Sequence, residues 1–275
     1  MRTIAVINRK GGSGKTTTAV NAAAALAELR PRVLIVDMDP QGSASDWLAR
    51  RGEDRAMNET FTRTFDLARL AVATDVPGVD VVAAADWLVT AERTLQGELS
   101  LGISRSIRRL PPRWSFVLID CPPSLSYLTI GVLMGVTELV IPVEAHAMAV
   151  SGADAIMDEL PSVQGLNPEL RTTWMLPCRV TRTVHARAVV DTLATDYPAL
   201  ITRSRIRESI KLAEAADAQQ AITQFAPTGV GAEDYRAFAR ELLEVSMTPP
   251  PGTPSVAEAR AGWRSLVSRS VRGEP

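Results

Sequence analysis

Lysine is almost missing from this chain of 275 residues, because 27 of its 30 basic residues are arginine. Cysteine occurs only at Cys121 and Cys178, which excludes a disulfide framework and a metal site of paired cysteines. No apolar run approaches the roughly 18 residues of a membrane-spanning helix, and Arg9 interrupts the N-terminal run too early for a signal peptide. The composition, 46% hydrophobic and 22% charged with a net charge of −1, is typical of a soluble globular protein. We expect a cytoplasmic location.

Two of the three lysines lie five positions apart in one stretch, NRKGGSGKTTT, residues 8–18. The pattern of a phosphate-binding loop is Gly, four residues, then Gly-Lys-Ser/Thr. Here GKT closes the pattern, but Arg9 replaces its opening glycine and Lys10 follows. Lys15 is expected to reach the β- and γ-phosphates and Thr16 to bind Mg²⁺. Because lysine and arginine are not interchangeable among phosphate oxygens, we interpret Lys10 as a functional residue too.

The chain alternates between short apolar strands and helices. RTIAVIN has the pattern of a buried strand, KTTTAVNAAAALAELR that of a helix, and PRVLIVDMDPQ that of a second strand. Further strands are predicted at 78–85, 114–124, 137–145 and 171–180, and further helices at 87–109, 126–135, 147–160, 183–196 and 232–245. This alternation predicts an α/β fold of the P-loop NTPase type, a mostly parallel twisted sheet with helices on both faces.

Carboxylates follow two of the predicted strands. Asp120 ends the strand in FVLIDCPPS, and Asp37 and Asp39 end the strand in VDMDPQGSAS. Ligands collect at the carboxyl ends of strands in open α/β sheets, so we predict that Asp120 and Thr16 form a Mg²⁺ site. Asp37 and Asp39 are two positions apart and are expected on one face. One of them could orient the attacking water, while the other holds the first in place or pairs with a lysine. The sequence of these residues alone does not decide which acid has which role.

Four motifs carry a family resemblance: KGGSGKTT, VDMDPQGSAS, LIDCPPSLSYLTIGVL and LVIPVEAHAMAVSG. With residues 206–243, they resemble the deviant Walker A ATPases of the ParA/Soj partition family in order and spacing. The resemblance covers most of residues 2–245. Arg9 and Ser13 depart from it, since relatives commonly have Gln and Val there, and no residue near Cys178 matches the family's Asn beside the adenine.

The resemblance implies roles for the loop and the acids. Lys10 would reach across a dimer interface to the ATP of the other subunit, so that ATP is sandwiched between two protomers. Lys10, Lys15 and Asp39 are the predicted catalytic residues, and Asp39 would position the hydrolytic water. The predicted ATP-binding residues are Lys10, Gly11, Gly12, Ser13, Gly14, Lys15, Thr16, Thr17 and Asp37. Thr16 and Asp120 are the predicted Mg²⁺ residues, Asp120 acting through water, and the implied cofactors are ATP and Mg²⁺.

The resemblance also implies a function. Residues 1–247 would form one deviant Walker A ATPase domain, and residues 248–275 a Pro-rich linker and a short basic tail. The domain would hydrolyse ATP slowly, as a timer for dimerisation and DNA release in plasmid or chromosome segregation. A ParB-type centromere-binding protein is the implied partner and stimulator, and the protein would associate with the nucleoid in the cytoplasm. Because the loop starts close to residue 1, we expect no N-terminal helix-turn-helix extension.

Cations cluster in residues 179–187 and 203–211. In a chain of net charge −1, such clusters predict a basic face, with an ordinary solvated surface as the alternative. In the family, ATP-bound dimers bind double-stranded DNA non-specifically through cations of this region. The predicted DNA-binding residues are therefore Arg182, Arg187, Arg205, Arg207 and Lys211. Aromatic residues are not interleaved with them, so contacts to phosphates are the expected mode of binding.

Three other functions fit parts of the sequence. A MinD-like membrane ATPase shares the loop and ends in a basic amphipathic helix, which residues 256–271 imitate weakly because their apolar face is thin. Membrane binding is therefore disfavoured. An amidotransferase-type P-loop synthetase is a second alternative, but no substrate-specific signature is present. A relative of the nitrogenase iron protein needs cluster cysteines, and we interpret Cys121 as a packing residue. His146 and His185 fit no catalytic or metal-binding pattern.

Overall fold

A sheet of seven strands forms the centre of the protein in a computed structural model that describes residues 1–30, 32–146, 150–170 and 172–244. The strands are β1 (Arg2–Val6), β2 (Val33–Asp37), β3 (Val72–Ala73), β4 (Val79–Val82), β5 (Phe116–Asp120), β6 (Glu138–Glu144) and β7 (Thr172–Cys178). Within the described residues their order is β3-β4-β2-β5-β1-β6-β7, and all neighbours are parallel except β3 and β4. The predicted α/β class with a mostly parallel sheet is confirmed. Strand β3 was not predicted because two exposed residues are too few to show a strand pattern.

The register of the central strands brings their carboxyl ends together. Every residue of β2, β5 and β6 is buried, which explains why they are apolar except for acids at their ends. Asp120 at the end of β5 pairs with Val6 of β1 on one side and with Asp37 of β2 on the other. The two acidic strand ends and the loop after β1 therefore share one edge of the sheet.

Eleven α-helices occur in the described residues: α1 (Lys15–Leu29), α2 (Ser43–Trp47), α3 (Asp54–Glu59), α4 (Trp87–Thr94), α5 (Gly97–Arg108), α6 (Tyr127–Leu133), α7 (Val150–Leu166), α8 (Val184–Asp196), α9 (Ile210–Asp217), α10 (Ile222–Phe225) and α11 (Val230–Glu244). Adjacent strand residues alternate between two cores, as Ile4 and Ala5 do. The core of Ile4 contains residues of α1, α10 and α11, and the core of Ala5 contains residues of α5, α6, α7 and α8. Helices therefore cover both faces, as predicted.

Helix α1 holds the phosphate loop against the sheet. Most of its alanines are buried, and Ala22, Ala23 and Ala25 are completely so. Small side chains let α1 approach its neighbours closely, and it contacts β2, β5 and α11. The alanine-rich sequence after the loop thus provides both helix propensity and a close fit to the sheet.

Some predicted helices differ from the structure in extent. The predicted helix at 87–109 is two helices, because Gln96 between α4 and α5 has a left-handed φ of 45°. Helix α7 continues to Leu166 and contains Pro161, beyond the predicted end at 160. The predicted linker and tail, 248–275, lie outside the described residues. Within the residues that are described, no helix combines the length and the apolar character needed to cross a bilayer.

Candidate nucleotide site

The loop between β1 and α1 is shaped by two glycines with left-handed backbone. Gly12 has a φ of 75° and Gly14 a φ of 89°, where other residues are strained. A Cβ placed on Gly11 or Gly12 would meet no described atom within 4 Å, so this part of the loop is open to a ligand. Helix α1 begins directly after it, at Lys15. The unpaired backbone amides at such a helix start form an anion site.

Thr16 and Asp120 meet where α1 begins. The Thr16 hydroxyl donates a hydrogen bond of 2.7 Å to Asp120 Oδ2. Asp120 is fully buried, and its Oδ1 has no hydrogen-bond partner among the described residues. Burial, reinforced by the charge of Asp37, raises the pKa of Asp120 well above its ordinary range. A hydroxyl beside a buried carboxylate oxygen without a partner fits the oxygen ligands and bound waters of Mg²⁺.

Lys15 is the ammonium that lies among the acids of the site. Its Nζ donates to the Lys10 carbonyl at 3.4 Å. Burial lowers the pKa of Lys15, and the charges of Asp120 and Asp39 oppose this change. Asp39 acts on both Lys15 and Asp120, and Asp37 acts on Asp120, so three carboxylates cluster around a site with one buried lysine. The local excess of negative charge is what a divalent cation would balance.

The two acids after β2 have different surroundings. Asp37 is completely buried. Its Oδ2 accepts hydrogen bonds from the amide and hydroxyl of Ser45 at 2.8 and 2.6 Å, and its Oδ1 accepts one from the Asp39 amide at 3.1 Å. Burial raises the pKa of Asp37 to about 6 although these hydrogen bonds oppose it. Asp39 instead lines a cavity over the loop together with Lys15 and Thr16. Asp39 faces the space for a ligand, and Asp37 orders the turn that carries it.

Several cavities of the described residues open on the loop, and two of them concern the nucleotide. The one that includes Asp39 has a volume of about 680 Å³. The other, of about 640 Å³, extends from Gly12 and Gly14 to walls that are largely apolar and include Cys178, Ile206, Leu212 and Tyr235. Apolar walls beside a phosphate loop suit a flat base. No base contact was predicted for this region, because no residue near Cys178 matches the family's Asn beside the adenine.

Lys10 binds a carboxylate of its own protomer. Its Nζ donates to Glu144 Oε2 at 2.8 Å and lies 2.7 Å from His146 Nε2. Arg179 Nη1 donates to the other oxygen, Glu144 Oε1, at 2.6 Å. Burial acts to raise the pKa of Glu144, but the hydrogen bonds from Lys10 and Arg179 outweigh it, and the pKa is lowered. Glu144 ends β6, and both Glu144 and His146 lie in the motif LVIPVEAHAMAVSG, but no pattern in the sequence connects either residue with Lys10.

The predicted DNA-binding cations fall into two groups. Arg207 binds Asp234 through hydrogen bonds between 2.7 and 3.0 Å and Glu233 at 3.1 Å. Lys211 pairs with Glu214 at 2.7 Å. The remaining three are exposed and form no ion pair with the described residues: Arg182, Arg187 and Arg205. Nearby acids thus partly neutralise the first group, whereas the second presents its full charge to solvent.

Most of the chain is similar to known proteins. Residues 1–172 match the family model described as an AAA domain. The chromosome-partitioning ATPase Soj of Thermus thermophilus is 36% identical over 245 residues, which cover 88% of this chain and 96% of that protein. The chain belongs to the ParA/Soj family. The sporulation initiation inhibitor protein Soj of Bacillus subtilis is another relative, 32% identical, with 87% of this chain and 97% of that protein covered.

Solved structures with the same fold contain nucleotide and magnesium. The cobyrinic acid a,c-diamide synthase of Mycobacterium smegmatis, with bound ATP analog and magnesium, has a TM-score of 0.75 at 28% identity, covering 92% of this chain and 100% of that one. MinD of Pyrococcus horikoshii, complexed with Mg-ADP, has a TM-score of 0.72 at 20% identity, covering 88% and 96%, and shows the shared fold alone. This member of the ParA/Soj family is an ATPase.

Proposed function

We propose that this ATPase segregates DNA: an ATP-bound homodimer binds double-stranded DNA non-specifically, and slow hydrolysis releases it. The observation that carries the proposal is the separation of the two loop lysines. Lys15 lies among the carboxylates of its own site, whereas the Lys10 ammonium lies at Glu144. This separation supports one lysine for the protomer's own nucleotide and one for the nucleotide of a partner protomer. A ParB-type protein on the plasmid or chromosome would stimulate hydrolysis.

The loop would hold the phosphates and Mg²⁺ of ATP. Lys15 provides a positive charge, and the phosphate contacts also include Gly11, Gly12, Ser13, Gly14 and Thr17. Thr16 and Asp120 would hold Mg²⁺, Asp120 through water, and the Asp120 oxygen without a partner supports this role. When bound, Mg²⁺ would neutralise negative charge on the β- and γ-phosphate oxygens.

Asp39 would orient the water that attacks the γ-phosphate, because it is the acid of the β2 end that lines the ligand cavity. In phosphoryl transfer the protein contributes mainly positioning and electrostatic stabilisation. Asp37 would act on the same site indirectly, since it binds the Asp39 amide and both polar groups of Ser45. Asp37 would thus belong to the nucleotide site as the residue that holds Asp39 in position.

Lys10 would make association depend on ATP. An ammonium enclosed in a dimer interface without an anion costs several kcal/mol. The γ-phosphate of the partner's nucleotide would supply that anion, and its loss on hydrolysis would destabilise the dimer. Hydrolysis would therefore act as the timer for DNA release.

The basic face would bind DNA phosphates and keep the protein at the nucleoid. Arg182, Arg187 and Arg205 are free of acidic partners in the described residues. Arg207 and Lys211 would contribute less, because each must share its charge with an acid. We assign the ATPase domain to residues 1–247, and the linker and basic tail to residues 248–275.

Salt-dependent DNA binding tests this function. Anisotropy of labelled duplex DNA is measured with ATP and Mg²⁺, with ADP and Mg²⁺, and without nucleotide. We expect binding with ATP only, with a log–log salt slope of about −0.9 per phosphate contact. Anionic liposomes are the parallel arm. ATP-dependent binding to liposomes, with no DNA binding at low salt, would contradict the proposal and favour the MinD-like alternative.

A second candidate is an amidotransferase-type synthetase, favoured by the similarity to the structure named a cobyrinic acid a,c-diamide synthase. The two functions differ in what accelerates ATP turnover. We expect duplex DNA together with a ParB-type protein to accelerate phosphate release, and glutamine with a carboxylic acid acceptor to have no effect. Turnover that requires the amide donor and forms an amide would favour the synthetase.

A further inference from the structure

Lys10 is tied to β6 through both its backbone and its side chain. The Lys10 amide donates to Asn8 Oδ1 at 2.9 Å, and Asn8 Nδ2 donates to the Pro142 carbonyl at 2.7 Å. The Lys10 ammonium is 2.8 Å from Glu144 Oε2 and 2.7 Å from His146 Nε2. His146 Nε2 is also 3.0 Å from Glu144 Oε2, so it accepts from the ammonium when it is unprotonated and donates to Glu144 when it is protonated. The loop lysine is therefore bound directly by Glu144, and His146 contacts both of them within the same protomer.

Glu144 can release Lys10 without becoming an isolated buried charge. Its side chain is 7% exposed, and a buried carboxylate that loses its only cation is strongly destabilising. Arg179, however, binds the other carboxylate oxygen at 2.6 Å and remains when Lys10 leaves. The Lys10 side chain is 32% exposed, so water and a competing anion can reach it. These are the properties of an ion pair that can be exchanged.

We propose that Glu144, assisted by His146, holds Lys10 within its own protomer before dimerisation, and that association exchanges this carboxylate for the phosphates of the partner's ATP. Glu144 is then a positioning residue that acts through Lys10. The inference rests on the proposed role of Lys10 across the dimer interface. Only a protomer in which Lys10 is released can reach the nucleotide of a partner. The apparent affinity of dimerisation is therefore the intrinsic affinity multiplied by the fraction of protomers with a released Lys10.

The exchange explains how the dimer can distinguish ATP from ADP. A carboxylate already satisfies Lys10 in the free protomer, so a partner must offer a stronger anion. The γ-phosphate adds charge and acceptor oxygens that ADP lacks, and hydrogen bonds between charged groups are the strong ones. Dimerisation is therefore favourable only when the γ-phosphate binds Lys10 more strongly than Glu144 does.

The scarcity of lysine makes the ion pair directly measurable. In nucleotide-free protein, amine-reactive labelling followed by peptide mass spectrometry reports Lys10, Lys15 and Lys211 separately. In Glu144→Gln the neutral amide no longer holds the ammonium, and we expect the labelling rate of Lys10 to rise about fivefold. Lys211 at the surface is the internal reference, and the buried Lys15 reports any loss of folding.

The matched control is Glu208→Gln. Glu208 lies 3.9 Å from Arg179 and lines the same cavity as Glu144, but no hydrogen bond or ion pair joins it to Lys10 in the described residues. We expect this variant to label Lys10 at the parental rate. His146→Asn removes the second partner of Lys10, and the expected rise is about twofold, as for a weaker hydrogen bond.

Dimerisation is the second readout. With ATP and Mg²⁺, light scattering should show Glu144→Gln dimers at a protein concentration about fivefold below that of the parent. A merely structural role for Glu144 would weaken dimerisation instead of strengthening it. The inference is overturned by parental Lys10 labelling in Glu144→Gln, by an equal rise in Glu208→Gln, or by parental dimerisation of Glu144→Gln.

Two further outcomes distinguish unfolding of a variant, or failure of the proposed function, from failure of the inference. If Lys15 labelling also rises in Glu144→Gln, that variant is unfolding, and unchanged Lys10 labelling in His146→Asn then overturns the inference. If the parent forms no dimer with ATP, the proposed function fails, whereas the labelling of nucleotide-free protein still shows whether Glu144 holds Lys10.

Discussion

The Thr16 hydroxyl donates a hydrogen bond of 2.7 Å to Asp120, a residue 104 positions later in the chain. The two meet because β1 and β5 are neighbours in register, with Val6 opposite Asp120, and α1 starts just after the loop that follows β1. The second carboxylate oxygen of Asp120 has no partner in the described part of the chain. This pair is therefore the part of the site that should respond most to Mg²⁺.

Asp120→Asn tests the metal role, because it keeps the size of the side chain and removes its charge. We expect the affinity for Mg-ADP to fall about 10–100-fold, the usual effect of losing an outer-shell partner. Calorimetry of ADP binding with and without Mg²⁺ measures it, and binding without Mg²⁺ should change little. Asp46→Asn is the control, since Asp46 lines the cavity over the loop together with Thr16 and pairs with Arg51 at the surface. Equal losses with and without Mg²⁺ would contradict the assignment.

Lys10→Ala should keep nucleotide binding and lose ATP-driven dimerisation. Lys15 and the loop amides remain for the protomer's own ATP, whereas the ammonium that would bind a partner's phosphates is removed. Light scattering with ATP, ADP and no nucleotide measures the dimer. Arg9→Ala removes an exposed charge from the adjacent position and should dimerise like the parent. Parental dimerisation of Lys10→Ala would rule out the cross-subunit role.

Asp39→Ala should abolish turnover while preserving an ATP-stabilised dimer, because positioning the water and binding ATP are separable tasks. The measurements are phosphate release and light scattering on the same sample. Asp46→Ala is again the control, as an acid of the same cavity with a surface partner. Phosphate release at the parental rate by Asp39→Ala would refute the role of Asp39.

The free arginines should matter more for DNA binding than the paired cations. Arg182→Ala combined with Arg187→Ala should make the salt slope shallower by about 0.9 for each DNA phosphate that the variant no longer neutralises. Arg205→Ala should act in the same way. Arg55→Ala, which removes an exposed arginine from α3, is the control for charge alone. A salt slope that stays parental in all these variants would place the DNA-binding surface elsewhere.

The paired cations provide the comparison for the same experiment. Replacing Arg207 and Lys211 together should also weaken binding uniformly across DNA sequences, but with a smaller change in slope. Both charges are already shared with acids, Arg207 with Asp234 and Lys211 with Glu214. A larger effect than that of the Arg182 and Arg187 pair would show that these acids release their partners when DNA binds.

Asp37 should make folding stability depend on pH. Burial raises its pKa to about 6 in the folded protein, above the ordinary value of about 3.9. The folded state therefore holds this proton more tightly, and the resulting stability is complete below about pH 3.9 and lost as the pH rises through 6. In urea unfolding, the free energy of unfolding of the parent relative to Asp37→Asn should be higher at about pH 4.5 than at about pH 7. A difference that does not change with pH would contradict the raised pKa, and Asp46→Asn is the surface control.

The sequence by itself determined the loop and the order of most strands and helices. The signals for these features are local in the sequence. They are the glycines and lysines of the loop, the apolar runs of the buried strands, and the alanine-rich or periodic segments of the helices. Asp120 was predictable for the same reason, because the end of an apolar strand after a phosphate loop is a recurrent position for a metal-binding acid. Helices of four to eight residues, such as α9 and α10, are too short to show a period.

Only the tertiary structure decided which side chains share a partner. Strand alternation placed Asp37 and Asp39 on one face, but β2 ends at Asp37, so Asp39 lines the cavity while Asp37 is closed off by Ser45. Glu144 and His146 reach Lys10 because β6 lies beside β1 in the sheet, a neighbourhood that no local pattern records. The count of cations in a segment gives its formal charge but not their partners: Glu214 lies one turn from Lys211 in α9, whereas the acids that bind Arg207 belong to α11. Long-range pairing, not composition, therefore separates the free arginines from Arg207.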